Sequence, residues 1–386
     1  MTVTHLKSGA RSNDTKLSLT EPVDWKPGDE VVVSGGGLGD AQKQAEVVTI
    51  KSVNGTDLYI TSPLRYPHGI SEEQVLGERL NLRAVVALLS RRVVVRGNVT
   101  SERLSRQKVC KEAAASGGER DISKCLYKAS ERKLGSQDMG AVLTVQAYRG
   151  EGSQLRLEGV QFRHVGQAFR KDLSALTIVG NTNMTESYIR DCAVLDSFAR
   201  GMSLSGVSDL RVENNILYNI MGHGLHVGEW PDQKNQLKSN TIIGLSGTDG
   251  LSNIETFSPA GIYIQAADNL IEGNMVCAAG HGYFFHLSPT GLSQLPVLSF
   301  RRNVAHSCTR FVLSNYTGMD SCYILNITLK QQTIMSSSNL QLQAFLLWGC
   351  RDFGIDIVES PGNTSVANSL FLGHSWETIY LAPVLL

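Results

Sequence analysis

The sequence predicts an all-β protein, a right-handed parallel β-helix preceded by an antiparallel β-module. Three observations carry this. Short apolar strands recur through the second half, each marked by an Asn, as in "LRVENNILYNIMGHGLHVG", "LKSNTIIGLSG", "LIEGNMVCAAGHGYFFHL" and "FRRNVAHSCTRFVLS". The marks fall at Asn215, Asn240, Asn274, Asn303 and Asn368, spaced as one solenoid coil plus a variable loop. Charged residues make up only 19% of the 386 residues while Gly numbers 37, which suits strands joined by many tight turns. An antiparallel sandwich would show the same richness in strands and turns. After residue 150, however, few strand pairs are joined by a two-residue hairpin turn.

Residues 1–97 read as the β-module. Pro27-Gly28-Asp29 supplies a turn into a strand at Glu30–Ser34, and the strands flanking Asn54-Gly55 form a hairpin, because that dipeptide accepts the positive φ of a tight turn. "RAVVALLSRRVVVRGNV" gives two more apolar strands around Ser90-Arg91-Arg92. Residues 98–140 are a polar insertion rich in Ser, Lys and Glu. Residues 141–386 are the β-helix. There each strand pairs with its equivalent one coil away, about 4.8 Å along the axis, and inward side chains stack in apolar columns. Ile216, Ile242, Val276 and Val304, which come just after the Asn marks, are expected to point inward, and the Asn themselves to take left-handed turn backbone.

Formal net charge is zero, so nothing points to nucleic acid or an anionic membrane as partner. No run approaches the ~18 apolar residues of a membrane span. The N-terminal "MTVTHLKSGARSNDTK" has no apolar leader core and reads as an internal piece of a longer chain. The seven Cys form no CxxC pair and no zinc-like spacing. Cys110 and Cys125 flank "KEAAASGGERDISK" and are the candidate disulfide. Cys192, Cys277, Cys308, Cys322 and Cys350 sit in or beside apolar strands, as buried free thiols do. Asn-x-Ser/Thr occurs at Asn13, Asn54, Asn98, Asn183, Asn315, Asn326 and Asn363, the candidate glycosylation sites of an extracellular protein.

Candidates for chemistry are few. Gly222-His223-Gly224 and Gly280-His281-Gly282 look alike, each with a later His, His226 and His286. A metal pair or general base would use such residues. The two motifs lie about two coils apart, so like positions are roughly 10 Å distant, too far for shared ligation. The Gly therefore serve the coil and the His are satisfied turn residues. Asp249, Glu255 and Glu272 show no spacing that pairs two carboxylates. Trp25 reads as packing within the β-module rather than a sugar platform. "SGGGLGD" (34–40) lacks the succeeding helix that a phosphate site needs. No metal or cofactor is expected.

Two elements of the β-module, "WKPGDE" (25–30) and "LLSRRVVV" (88–95), resemble the eight-glycine (G8) domain of large extracellular proteins. The stretches "GVQFRHVGQAFRKDLSALTIVG" and "ESYIRDCAVLDSFARGMSLSGVSDLRVENNILYNIMGHGLHVGE" resemble the segment C-terminal to that domain in the fibrocystin family. The likeness covers most of the chain, although the first strands and glycines of the G8 domain are missing. It implies a non-catalytic extracellular segment of a single-pass, receptor-like membrane protein of cilia or apical surfaces. Such a segment would serve recognition or scaffolding toward an extracellular protein or glycan, with the membrane reached only through other parts of the parent chain. The alternative is a glycan-active β-helix enzyme, because cell-surface hyaluronidases carry the same module pair. Those relatives place a Tyr-Pro-x-His-x-His-like strand just after the Gly-Gln of the first coils. Here Gly166-Gln167 leads to a strand of Ser174, Ala175, Leu176, Thr177, Ile178 and Val179, which offers no acid or base for a glycosidic bond.

Overall fold

In a computed structural model of the chain, the described residues are 1–36, 43–75, 78–99, 127–129, 132–135, 140–148, 154–228, 232–248, 251–266, 268–285 and 299–308. Isolated strands are described at 322–325, 328–334, 337–343, 346–348, 364–367 and 370–372. No helix among them is long and apolar enough to cross a membrane.

The first strands form a six-stranded antiparallel sheet. Glu46–Asn54 and Asp57–Ile60 pair as the expected hairpin, with Asn54 opposite Asp57 and Gly55 at φ 60°. Gly28 turns the chain at φ 90°, where the Asp29 carboxylate accepts the Lys26 N–H at 2.8 Å, and Glu30–Val33 comes next as the strand predicted. The concave core holds Leu6, Leu17, Leu19, Val31, Ile50, Leu58 and Trp25. Trp25 is 5% exposed and its indole N–H donates to the Met1 carbonyl at 2.7 Å, as a packing residue does.

From residue 143 the chain winds through three parallel sheets, each contributing a strand per coil. The first sheet runs through Leu143–Ala147, Leu176–Asn183, Met202–Ser208, Leu225–Val227, Ala260–Ile264 and His281–Phe285. The second runs through Arg156–Glu158, Tyr188–Arg190, Arg211–Glu213, Gln236–Lys238, Leu270–Glu272 and Ser299–Arg301. The third includes Val160–Val165, Ala193–Ser197, Ile216–Met221, Thr241–Ser246, Met275–Cys277 and Val304–Cys308. This is the predicted parallel β-helix.

The Asn marks build it, although not through left-handed backbone. Among the described marks the positive φ falls one residue earlier, at Asn214, Ser239, Gly273 and Arg302, and Asp191 takes the same backbone before Cys192, which holds the equivalent place one coil earlier. The four described Asn, at 215, 240, 274 and 303, instead turn inward and are buried at 0–1% exposure. Asn215, Asn240, Asn274 and Asn303 form a ladder in which each amide N–H reaches the next side-chain oxygen at 3.0 Å. Each oxygen also accepts the backbone N–H of the preceding coil, at 2.9 to 3.1 Å. Each amide further donates to a carbonyl at the second sheet, such as that of Val212 at 2.8 Å for Asn240. The corner of the coil leaves these backbone groups without sheet partners, and burial makes the Asn amide the group that satisfies both polarities.

The inward column of the third sheet is Phe162, Val194, Leu217, Ile242, Val276 and Ala305. Ile242 and Val276 therefore point inward as expected, whereas Ile216 and Val304 do not. Inward side chains stand two residues after the Asn, and these two stand one residue after it. A one-residue offset in a strand moves a side chain to the opposite face. Val304 is half-buried, and Ile216 is buried on the outer face against the β-module. There Val32, Val85, Ala87 and Leu89 pack on Ala193, Leu195, Ile216, Ile243 and Cys277, which joins module and solenoid through an apolar seam.

Val93–Arg96 departs from the antiparallel reading of the module. It pairs in parallel with Val160–Val165 and so extends the third sheet. At the other end the parallel stack changes: Val304–Cys308 pairs antiparallel with Cys322–Leu325, and that strand antiparallel with Leu346–Trp348. On the second sheet, Glu158, Arg190, Glu213, Lys238, Glu272 and Arg301 occupy successive register positions. Charge alternates along this column, and Arg190 bonds Glu158 at 2.8 Å. A slip between coils would part these opposite charges, and the alternation offers no run of cations to a polyanion.

Candidate functional site

Chemistry-bearing side chains collect where each coil enters the first sheet. Register places Arg200, His223, Ala260 and His281 in one column, with His223 and His281 two coils apart as their spacing implied. The similarity of their two Gly-His-Gly motifs comes from packing. A Cβ at Gly224 would stand 2.6 Å from the Gly261 carbonyl and 2.9 Å from Ile242, and one at Gly282 would stand 2.3 Å from the Ala305 side chain.

Outside the first sheet, Ser203, His226, Tyr263 and Phe284 succeed one another in register. Their rings stack, with centroids 5.3 Å apart for His226–Tyr263 and 5.4 Å for Tyr263–Phe284. His223 lies against Tyr263 at 4.4 Å and His281 meets Phe284 edge-on at 5.1 Å. Five residues, Asn253–Phe257, form a short helix capped by Ser252, and this helix carries Glu255 into the column.

Glu255 is wholly buried and takes both arms of the Arg200 guanidinium at 2.7 Å. Ser252 Oγ donates to it at 2.8 Å and the His223 N–H at 3.3 Å. Burial alone would raise its pKa, but the Arg200 hydrogen bonds and the nearby charges overcome this and hold it at about 2. His223 Nδ1 accepts the Ala260 N–H at 2.9 Å, which fixes the neutral tautomer with its proton on Nε2. Burial, with the Arg200 charge, lowers its pKa to about 4 despite Glu255. The Nε2 atom stands 3.9 Å from Glu255 and makes no hydrogen bond. The knot thus joins an ionised acid with no proton to give and a neutral imidazole that is 1% exposed. Sequence reasoning found the His and missed their partners. Arg200 lies 55 residues from Glu255, across coils of unequal length.

The other sequence candidates separate. Glu272 pairs with Arg302 on the second sheet, away from Glu255. Asp249 and His286 lie outside the described residues, as do Cys110, Cys125, Cys350, Asn315, Asn326, Asn363 and Asn368. Ser174, Ala175, Leu176 and Ile178 are buried, although the strand after Gly166-Gln167 begins only at Leu176, so Ser174 and Ala175 lead into it rather than fill it. Asn13, Asn54, Asn98 and Asn183 are exposed, and Asn183 is tied to Asp209 at 2.6 Å. Cys192, Cys277 and Cys308 are buried free thiols, as predicted for them. Among the described residues no three His, Cys, Asp or Glu converge as metal ligands do.

The buried histidines make stability depend on pH. His306 lies under the module, its Nε2 2.8 Å from Cys277 Sγ, and burial lowers its pKa to about 4. Between about 4 and the unfolded value near 6.5, the unfolded chain binds a proton that the folded chain refuses. Stability from this group is therefore whole above pH ~6.5 and is lost as pH falls toward ~4. Asp232 works oppositely, because burial raises its carboxyl to about 7. The readout is thus the difference between proteins. The stability lost between pH 7 and 5 is expected to shrink by about 2 kcal/mol in His306→Asn, measured by denaturant unfolding. Equal losses in the two proteins would remove His306 from the pH response.

The chain matches the CEMIP beta-helix family over residues 140–313. It is 45% identical to the fibrocystin of Canis lupus familiaris over 97% of this chain, and spans 10% of that protein. It is 28% identical to the fibrocystin-L of Homo sapiens over 80% of this chain, which spans 8% of that protein. A G8 domain-containing protein of Dictyostelium discoideum is 25% identical over 79% of this chain, which spans 21% of it. An N-terminal antiparallel module followed by an Asn-laddered parallel β-helix, with identity of this extent over this chain, supports a fibrocystin-family relationship.

Proposed function

We propose that this chain is a non-catalytic extracellular segment of a fibrocystin-like membrane protein, working in recognition or scaffolding at a ciliary or apical surface. One observation carries the reading. The first sheet's histidine–carboxylate cluster has its acid pinned by Arg200 and its imidazole closed from solvent. Glycosidic cleavage needs a proton donor and a carboxylate or base that both reach the scissile bond. Here Glu255 keeps no proton and His223 reaches nothing outside the fold. The strand after Gly166-Gln167 supplies no replacement pair.

Incubation of the purified chain with high-molecular-weight hyaluronan, followed on a gel, is expected to leave polymer length unchanged with or without calcium. Lost acid–base groups typically cost factors of ~100 to 10,000 each. Chain shortening that disappears in His223→Ala or His281→Ala would overturn the non-catalytic reading. Peptide mapping of the secreted parent protein tests the compartment. Glycans are expected on several of the seven sequons, and unmodified Asn98, Asn315, Asn326 and Asn363 would count against an extracellular home.

A further inference from the structure

The seam between module and solenoid opens at one edge into a cleft of about 300 Å³. Its floor is apolar, from Val47, Leu89 and Leu195. Its polar walls are held in place before any ligand arrives. The Arg163 guanidinium bridges Glu30 of the module at 2.9 Å and Asp196 of the solenoid at 3.4 Å. Asn219 donates to Asp196 at 2.5 Å. Glu46 fixes the loop above: it accepts the Arg65 and Tyr66 N–H groups at 3.0 Å and meets His68 Nε2 at 3.0 Å. Tyr66 and Tyr218 both line the cleft, one from the module and one from the third sheet.

Ion pairs that solvent still reaches, as at Arg163, add little to stability, so this concentration of forked polar groups is not explained by the need to hold two units together. The seam does that with apolar contacts. A small concavity at a domain boundary, apolar below and ringed by a few fixed polar groups, has the form of a small-molecule site at the low end of the usual ~300–1,000 Å³. Guanidinium, carboxylate and amide forks match adjacent hydroxyls, and phenol rings match the C–H face of a sugar. The carboxylates of Glu30 and Asp196 are already engaged by Arg163. Of the other lining cations, Lys43 is exposed, and the Arg65 side chain, 75% exposed, reaches Glu46 only through Nε at 3.7 Å, which leaves its outer guanidinium nitrogens for an anionic substituent.

We propose that this cleft binds a terminal carboxylated sugar of a glycan chain, which gives the recognition reading a site and a ligand class and rests on that reading. Saturation-transfer NMR and calorimetry on the full 386-residue chain, with 3′-sialyllactose and lactose as probes, test it. Saturable binding of sialyllactose is expected, with lactose at least about five-fold weaker. Tyr66→Ala and Arg65→Ala, both at exposed positions, are each expected to weaken sialyllactose about ten-fold or more, a difference of the size one good contact supplies. Tyr148→Ala, exposed on the first sheet's side of the solenoid, is the control and is expected to bind normally. Unchanged melting temperatures keep the comparison free of folding effects. No saturable binding of either probe, or binding indifferent to Tyr66 and Arg65, overturns the proposal. Neither result touches the non-catalytic reading, which hyaluronan shortening would sink.

Discussion

Arg200→Ala is expected to destabilise the chain by about 3–5 kcal/mol, the range for breaking a buried ion pair by removing one partner. The loss comes less from the attraction itself than from what remains. Glu255 would keep its charge in a wholly buried position with only the Ser252 hydroxyl and the His223 N–H as donors. Part of the penalty is expected to return as protonation, so the variant's stability would improve below neutral pH where the wild type's does not. The double replacement Arg200→Met with Glu255→Leu removes both charges and is expected to be far closer to wild type than either single change. Denaturant midpoints measure all of this. A single variant within 1 kcal/mol of wild type would mean that water reaches Glu255, and the sealed-cluster argument would fail with it.

Asn240→Ala is expected to cost about 4 kcal/mol or more. The deletion leaves four buried groups short of a partner: the backbone N–H of Asn215, the amide N–H of Asn215, the Val212 carbonyl and the Asn274 oxygen. Each unsatisfied buried group costs about 1–3 kcal/mol, reduced where a second partner remains. Asn98→Ala, at an exposed position, is expected to stay within about 0.5 kcal/mol of wild type. Hydrogen exchange at the Asn215 amide in the Asn240 variant should quicken before that of neighbouring strands. Equal stability of Asn240→Ala and Asn98→Ala would contradict the ladder.

The coil itself was legible because the ladder repeats one residue type at one corner, and the hairpin because Asn54-Gly55 has a single favoured use. The facing of the third sheet was not. Its strands are apolar on both sides, since the module covers the outer face, and the alternation that normally marks inside from outside is erased. Ile216 and Leu217 are equally apolar and opposite in orientation. The role of the marked Asn was misread for a related reason. Left-handed backbone and an inward amide are both uses of Asn, and the left-handed step is taken by the residue before it, which ranges from Asn214 to Ser239 to Gly273 to Arg302. The Arg200–Glu255 knot was invisible because Glu255 arrives on an extra five-residue helix inside a lengthened coil. No periodicity announces such an insertion.

The central claim is that the solenoid's histidine–carboxylate cluster is closed to anything outside the fold. Diethylpyrocarbonate modifies neutral, accessible imidazoles, and His223 is neutral at pH 7 by virtue of its burial. Native chain treated at pH 7 and mapped by peptide mass spectrometry is expected to carry the label at the half-buried His281 well before His223, which should stay unmodified until the chain is unfolded. Labelling of His223 in the native chain as fast as His281 would contradict the account and reopen the enzyme reading.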